Sequence, residues 1–285
     1  MAPIEYTFTR YLSAKKSVDD RALNSHVWQT LVAALPDGPL RVLEIGSGIG
    51  TMAERLVERG ALTAGTYTAV DADPANTAAA RARLQALPAA VQLELVTDDA
   101  FNFATLEQGR RAWDALIAHA FLDLVDVPQA LPRLLALLRP GGLCYFTINF
   151  DGATILEPTI APALDAQIEA LYHQTMDARL TNGRLSGDSR TGRHMFGHLR
   201  RAGVDVLAAG GSDWVVFAGA GGYLEDEAYF LHFIIHTLRQ ALAGHPALDG
   251  RLFEAWIAQR HAQIEAGTLV YVAHQLDFVG VKPAA

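Results

Sequence analysis

Cysteine is almost missing from this chain. Cys144 is the single thiol among 285 residues, which rules out an intramolecular disulfide and a cysteine-built metal cluster. It lies in the apolar run 143–148 and reads as a buried structural thiol. Long hydrophobic runs are missing too. The longest are too short and too interrupted to span a bilayer. Residues 1–10 lack the apolar stretch with basic flanks that marks a secretory signal. The expectation is a cytoplasmic protein with no membrane partner. Positive charge is also scarce, with 23 Lys and Arg against 31 Asp and Glu, a formal net charge of −8. A nucleic-acid partner needs a basic footprint to neutralise phosphates. The densest basic stretch, 184–201, is interspersed with apolar and small residues and reads as a helix with a solvated face, so no nucleic-acid partner is expected.

Apolar residues are plentiful, at 51%. The chain is long enough to bury the core of one large domain, or of one and a half. Its most informative stretch is 41–50. Val42, Leu43 and Ile45 form a short apolar run suited to a parallel strand covered on both faces. Gly46, Gly48 and Gly50 come next, with Ser47 between the first two. Glycine permits positive φ and lets a ligand approach the backbone. From Thr51 the pattern is helical to about Arg59, so free N–H groups point back into the turn. A G-x-G-x-x-G turn would suggest NAD or FAD, but here the third glycine arrives one residue early, and an acidic residue, Glu44, sits inside the strand.

A second strand is expected at 66–70, ending on Asp71. An acidic residue about 20 positions past a glycine turn, at the end of the second strand, is placed to hold a ribose diol. Its two carboxylate oxygens can accept from both hydroxyls. Asp73 precedes Pro74 and reads as the cap of the next helix, 75–87. Alternation predicts a third strand at 91–96, a fourth at 113–118 and a fifth at 143–148. An amphipathic helix, 127–138, ends at the turn Arg139-Pro140-Gly141-Gly142.

The E-x-G-x-G-x-G stretch, the spacing to Asp71 and the helix–L-R-P-G-G–strand succession together resemble class I S-adenosylmethionine (SAM) methyltransferases, over about residues 40–150. The resemblance implies an α/β fold: a three-layer Rossmann-like sandwich with a seven-stranded, mostly parallel sheet, and helical insertions that cap the acceptor site. It implies SAM as cofactor, with S-adenosyl-L-homocysteine as product. It points to Glu44, Gly46, Ser47, Gly48, Gly50, Asp71 and Ala72 for the cofactor. Asp99 and Ala100 would meet the adenine, Phe101 would lie against it, and His119 would face the sulfonium. The Asp/Asn-Pro-Pro-aromatic motif of many amino-group methyltransferases acting on nucleic acids and proteins is absent. The expected reaction is therefore N- or O-methylation of a small-molecule acceptor by a monomer or homodimer. An NAD(P) enzyme and a non-catalytic SAM-binding protein are the alternatives.

The remaining residues divide the chain into 1–38, an N-terminal helical cap; 39–150, the SAM-binding core; 151–268, the rest of the core with acceptor-site insertions; and 269–285, a closing strand. A helix opens at Asp19-Asp20-Arg21 and runs to Leu35. The chain leaves the fifth strand at residues 149–152. Further helices are expected at 163–180, 190–202, 225–243 and 252–266, strands at 204–209 and 269–280, and an extended stretch at 212–216. Acceptor-binding candidates are Tyr11, Arg21, Asn149, Asp151, Tyr172, Arg193, Asp213, Trp214 and Tyr229. Methyl transfer needs a base only when the acceptor is protonated, and imidazole suits that near neutral pH. His119, His173 and His232 are the catalytic candidates, and His194 is a fourth imidazole to test. His232 and His236 share a helix face, but no third ligand accompanies them and no metal is expected. The arginines and glycines near Ser189 and Gly192 make an anion site conceivable at that helix start.

Overall fold

Strand β1 (Leu40–Ile45) lies at the centre of one large sheet. Its side chains alternate between two cores. Leu40 and Val42 join one apolar cluster, while Leu43 and Ile45 join another. The period-2 pattern of a strand covered on both faces thus yields three layers. The computed structural model describes residues 4–181 and 183–283.

Helices α1 (Phe8–Ala22) and α2 (Ser25–Ala34) precede β1. After β1 come α3 (Thr51–Glu58), β2 (Gly65–Asp71), α4 (Pro74–Arg83), β3 (Val91–Thr97), α5 (Ala100–Glu107), β4 (Trp113–His119), α6 (Val127–Leu135) and β5 (Leu138–Glu157). Next are α7 (Pro162–Asp177), a small hairpin β6 (Leu180–Thr181) and β7 (Arg184–Leu185), α8 (Thr191–Arg201), β8 (Asp205–Gly211) and β9 (Trp214–Val216). Helices α9 (Glu227–Leu242) and α10 (Gly250–Glu265) lead to β10 (Val270–Val281). The sheet runs β3-β2-β1-β4-β5-β10-β8, with β9 added alongside β10. Strands β1 to β5 are parallel, and β10 is antiparallel to both β5 and β8. Helices α9 and α10 fall between the sixth and seventh core strands in sequence, yet that order is undisturbed. The long β10 slots between β5 and β8, and the two helices pack outside the sheet.

Two expectations are corrected. Asp19 does not open a helix. It sits near the end of α1, and the chain breaks at Leu23-Asn24, where the Asn24 side chain accepts from the Val27 N–H and caps α2. Nor does the chain leave β5 at residues 149–152. Strand β5 continues to Glu157 because β10 keeps pairing with it, out to Val270 opposite Glu157. The Arg139–Gly142 turn lies inside β5 and is stitched to the chain end by Gly141 N–H to Lys282 C=O and Lys282 N–H to Gly142 C=O, both 2.8 Å. Cys144 is fully buried. No helix among the described residues is long and apolar enough to cross a membrane.

Candidate active site

In an open parallel sheet, ligands bind beyond the carboxyl ends of the strands. A cavity of about 520 Å³ lies there. Its floor is the turn after β1, Gly46 to Ile49, with Glu44 beneath it. Its sides come from the ends of β2 (Asp71, Ala72) and β4 (His119, Ala120, Phe121). Helix α1 contributes Tyr11, Leu12 and Lys15, and the far end is walled by Phe150, Tyr172, Trp214, Tyr271 and Gln275.

The glycine turn requires its glycines. Gly46 has φ +68° and Gly48 has φ +53°. A Cβ on Gly46 would lie 2.5 Å from the Phe121 ring. The turn is anchored by Asp71, whose Oδ2 accepts from Gly48 N–H at 2.7 Å. Asp71 Oδ1 accepts from Asp73 N–H at 2.9 Å and from Asn76 Nδ2 at 3.1 Å. That leaves Asn76 Oδ1 buried, on the cavity lining, with no hydrogen-bond partner among the described residues. Glu44 is buried and accepts from the Tyr67 hydroxyl at 2.6 Å. Burial pushes its carboxyl up to about 8.

The roof is fastened by a charged cluster that the sequence reading missed. Asp19 Oδ2 accepts from Lys15 Nζ at 2.8 Å and from His119 Nε2 at 2.9 Å, and Asp19 Oδ1 accepts from Trp214 Nε1 at 2.9 Å. Arg55 stands 3.6 Å away. Burial would raise the Asp19 carboxyl, but Lys15, His119 and Arg55 outweigh it and hold it far below the usual range. His119 Nδ1 meets Thr147 Oγ1 at 2.8 Å. An ionised carboxylate only accepts, so Nε2 carries the proton and Nδ1 accepts from the threonine hydroxyl. Both ring nitrogens are engaged, and burial pushes the imidazole down to about 4. The Lys15–Asp19 spacing of four on a helix is the one signal in the sequence that points to this cluster.

Of the residues singled out from sequence, the cavity brings together Glu44, Gly46, Ser47, Gly48, Asp71, Ala72, His119, Tyr11, Tyr172 and Trp214. Others stand elsewhere. Gly50 faces Leu84 and Ala80. Asp99 caps α5 through Phe101 and Asn102 N–H groups, Ala100 starts that helix, and Phe101 lies under Arg133. Arg21 pairs with Glu227 and ties α1 to α9. Asn149 Nδ2 donates to Leu276 C=O within the sheet. Asp151 holds Arg193 through its backbone N–H and Nε, both at 2.8 Å, so the anion position at the start of α8 is taken by the chain's own carboxylate. Asp213 pairs with His274, and the Tyr229 hydroxyl accepts from Thr7 N–H. His173 bonds Thr154 Oγ1 from behind the cavity wall. His232 meets His261 at 2.8 Å, while His236 stacks on Tyr6, and His194 pairs with Asp188. No group of three potential metal ligands gathers among the described residues.

A sheet in this order, a glycine turn after its first strand and an acidic residue closing the second are arranged as in class I SAM-dependent methyltransferases, which the chain resembles. Residues 42–142 match the family of methyltransferase domains. The ubiquinone biosynthesis O-methyltransferase of Escherichia coli O7:K1 is 32% identical over 120 residues, covering 41% of this chain. The chain spans about half of that curated relative, 46% of its length. Among solved structures, a methyltransferase candidate of Bacillus halodurans superposes with a TM-score of 0.54 at 12% identity, covering 91% of this chain and all of that one. A SAM-dependent methyltransferase of Geobacter sulfurreducens, solved with S-adenosyl-L-homocysteine, gives 0.50 at 16% identity over 98% of this chain and 99% of that one. At such identities these two show the likeness of fold.

Proposed function

We propose that the protein transfers a methyl group from SAM to a nitrogen or oxygen of a small-molecule acceptor. The carrying observation is a single cavity that runs from the glycine turn to an aromatic far end. The donor end suits the cofactor. Glu44 offers a buried carboxylate for its ammonium. Asp71 and the unpartnered Asn76 Oδ1 offer acceptors for ribose hydroxyls. Bound there, SAM supplies an electrophilic methyl on a cationic sulfur.

The chain's own part is alignment and exclusion of water. As the acceptor's lone pair forms its bond to carbon, the carbon–sulfur bond breaks and its electron pair stays on sulfur. Tyr11, Tyr172, Trp214 and Tyr271 keep the acceptor end dry. With both ring nitrogens committed, His119 acts by holding α1 and β4 together and not as a free base. Helix α1, the loop after β4 and the segments from the end of β5 onward, β10 included, supply the acceptor side, so acceptor choice draws on all three.

Calorimetry with S-adenosyl-L-homocysteine tests the donor half. Binding is expected in the wild type, and Asp71→Ala is expected to weaken it by about 1–3 kcal/mol by stripping partners from ribose hydroxyls and freeing Gly48. A screen for S-adenosyl-L-homocysteine release tests the acceptor half. No turnover with any amine, phenol, thiol or carboxylate refutes catalysis.

A further inference from the structure

Two buried oxygens at the acceptor end of the cavity accept nothing. Gln275, 2% exposed, lines the cavity, and its Oε1 has no hydrogen-bond partner among the described residues. Asp123 lines it too, and its Oδ1 is equally unpartnered. A buried acceptor without a donor costs about 1–3 kcal/mol, and a buried carboxylate with no cation in contact costs more. Both sites therefore call for a ligand that brings N–H or O–H donors. Asp123 calls for one that is also positive. Burial pushes its carboxyl up, and an arriving cation would bring it back down.

The surroundings agree with a cation. Tyr11, Tyr172, Trp214 and Tyr271 wall the same space, and aromatic faces attract ammonium groups. The other cation near this wall, Lys15, is already committed to Asp19. Arg179, however, lines the cavity and enters no ion pair among the described residues. It is close enough to Asp123 and Tyr172 to act on both electrostatically, yet it does not reach the Asp123 carboxylate. Among the described residues, one unpaired carboxylate and one unpaired guanidinium thus line a single aromatic chamber.

From this we infer that the acceptor is a small zwitterion, an amine bearing a carboxylate or similar anion, whose ammonium is received by Asp123 and Gln275 and whose anionic group is received by Arg179. The inference rests on the methyl-transfer reading and narrows it to N-methylation. In the reactive step one ammonium proton passes to the Asp123 carboxylate. The freed nitrogen lone pair takes the methyl, the carbon–sulfur pair stays on sulfur, and Asp123 then returns its proton to solvent.

The test is binding of matched probes to the full chain saturated with S-adenosyl-L-homocysteine. Glycine, γ-aminobutyrate and L-phenylalanine are each titrated beside their deaminated and decarboxylated counterparts. For at least one set the zwitterion is expected to bind about 10- to 100-fold more tightly than either single-charge counterpart, as two charge-assisted contacts imply. Asp123→Asn, which keeps shape, is expected to abolish the advantage over the deaminated probe. Arg179→Gln is expected to abolish the advantage over the decarboxylated one. If no zwitterion of the panel outbinds its counterparts, or if neither substitution changes the preference, the inference is overturned. Failure of the wild type to bind S-adenosyl-L-homocysteine would instead remove the methyltransferase reading on which it stands.

Discussion

Glu44 is a single residue with two consequences. It sits in a strand and is buried, with only the Tyr67 hydroxyl to satisfy it, so its proton is held up to about 8. A cofactor ammonium arriving beside it should expel that proton, because an opposite charge favours the ionised form. At pH 7 the calorimetric enthalpy of S-adenosyl-L-homocysteine binding is therefore expected to vary with the ionisation enthalpy of the buffer. Glu44→Gln should remove that dependence and weaken binding about tenfold. Equal enthalpies in phosphate and Tris for the wild type would contradict it. The glutamate was legible in the sequence because an acidic residue in an otherwise apolar strand is out of place. Asp19 was not. Its neighbours in sequence are polar and suggest a helix start, whereas its partners His119 and Trp214 lie 100 and 195 residues away.

At the scale of elements, the glycine turn is interlocked with the loop after β4. Gly46 has no room for a side chain, since Phe121 lies across it. Gly46→Ala meets both that clash and the strain of positive φ, and should destabilise the fold by about 1–3 kcal/mol and abolish measurable cofactor binding. Adding Phe121→Ala should recover the steric share but not the conformational one, so thermal melting of the double variant is expected to fall between wild type and Gly46→Ala. The turn itself was readable from three closely spaced glycines. Phe121 was not, because an aromatic after a strand looks the same whether it packs inward or folds back over a neighbouring turn. Strand β5 shows the same limit. The run 143–148 announced a strand, but its extension to Glu157 depends on pairing with β10, more than a hundred residues on.

For the whole molecule, buried titratable groups set opposing pH trends. Glu44, held up to about 8, and Asp277, held up to about 6, keep protons in the native state that the unfolded chain has released. The stability they contribute is present at low pH and lost as pH rises through those values. His119 and His261, both pushed down to about 4, refuse protons that the unfolded chain takes up below about 6.5. The stability they contribute is lost as pH falls from there. These trends oppose each other between pH 4 and 6, and from 6.5 to 8 Glu44 alone among the four still changes. The melting temperature is thus expected to fall between pH 6.5 and 8.5, and Glu44→Gln should flatten that fall. A melting temperature unchanged or rising across this interval would contradict the assignment.

By itself the sequence determined the layered α/β fold and the strand–glycine–helix turn, and it singled out Glu44, Gly46, Gly48 and Asp71, which line one end of the cavity. Those features are local. Apolar period, glycine spacing and an acid at a strand end act within some thirty residues and arise from backbone geometry. Only the tertiary structure brought the aromatic end of the cavity together. Asp123, Tyr172, Arg179, Trp214, Tyr271 and Gln275 come from separate stretches of the chain; Tyr172 and Trp214 are candidates from sequence, but Asp123, Arg179, Tyr271 and Gln275 each read as a loop, helix or strand residue. Their common property, two oxygens and a guanidinium without partners among the described residues and lining one aromatic chamber, exists only once the long β5–β10 pairing and the roof helix α1 have closed around them.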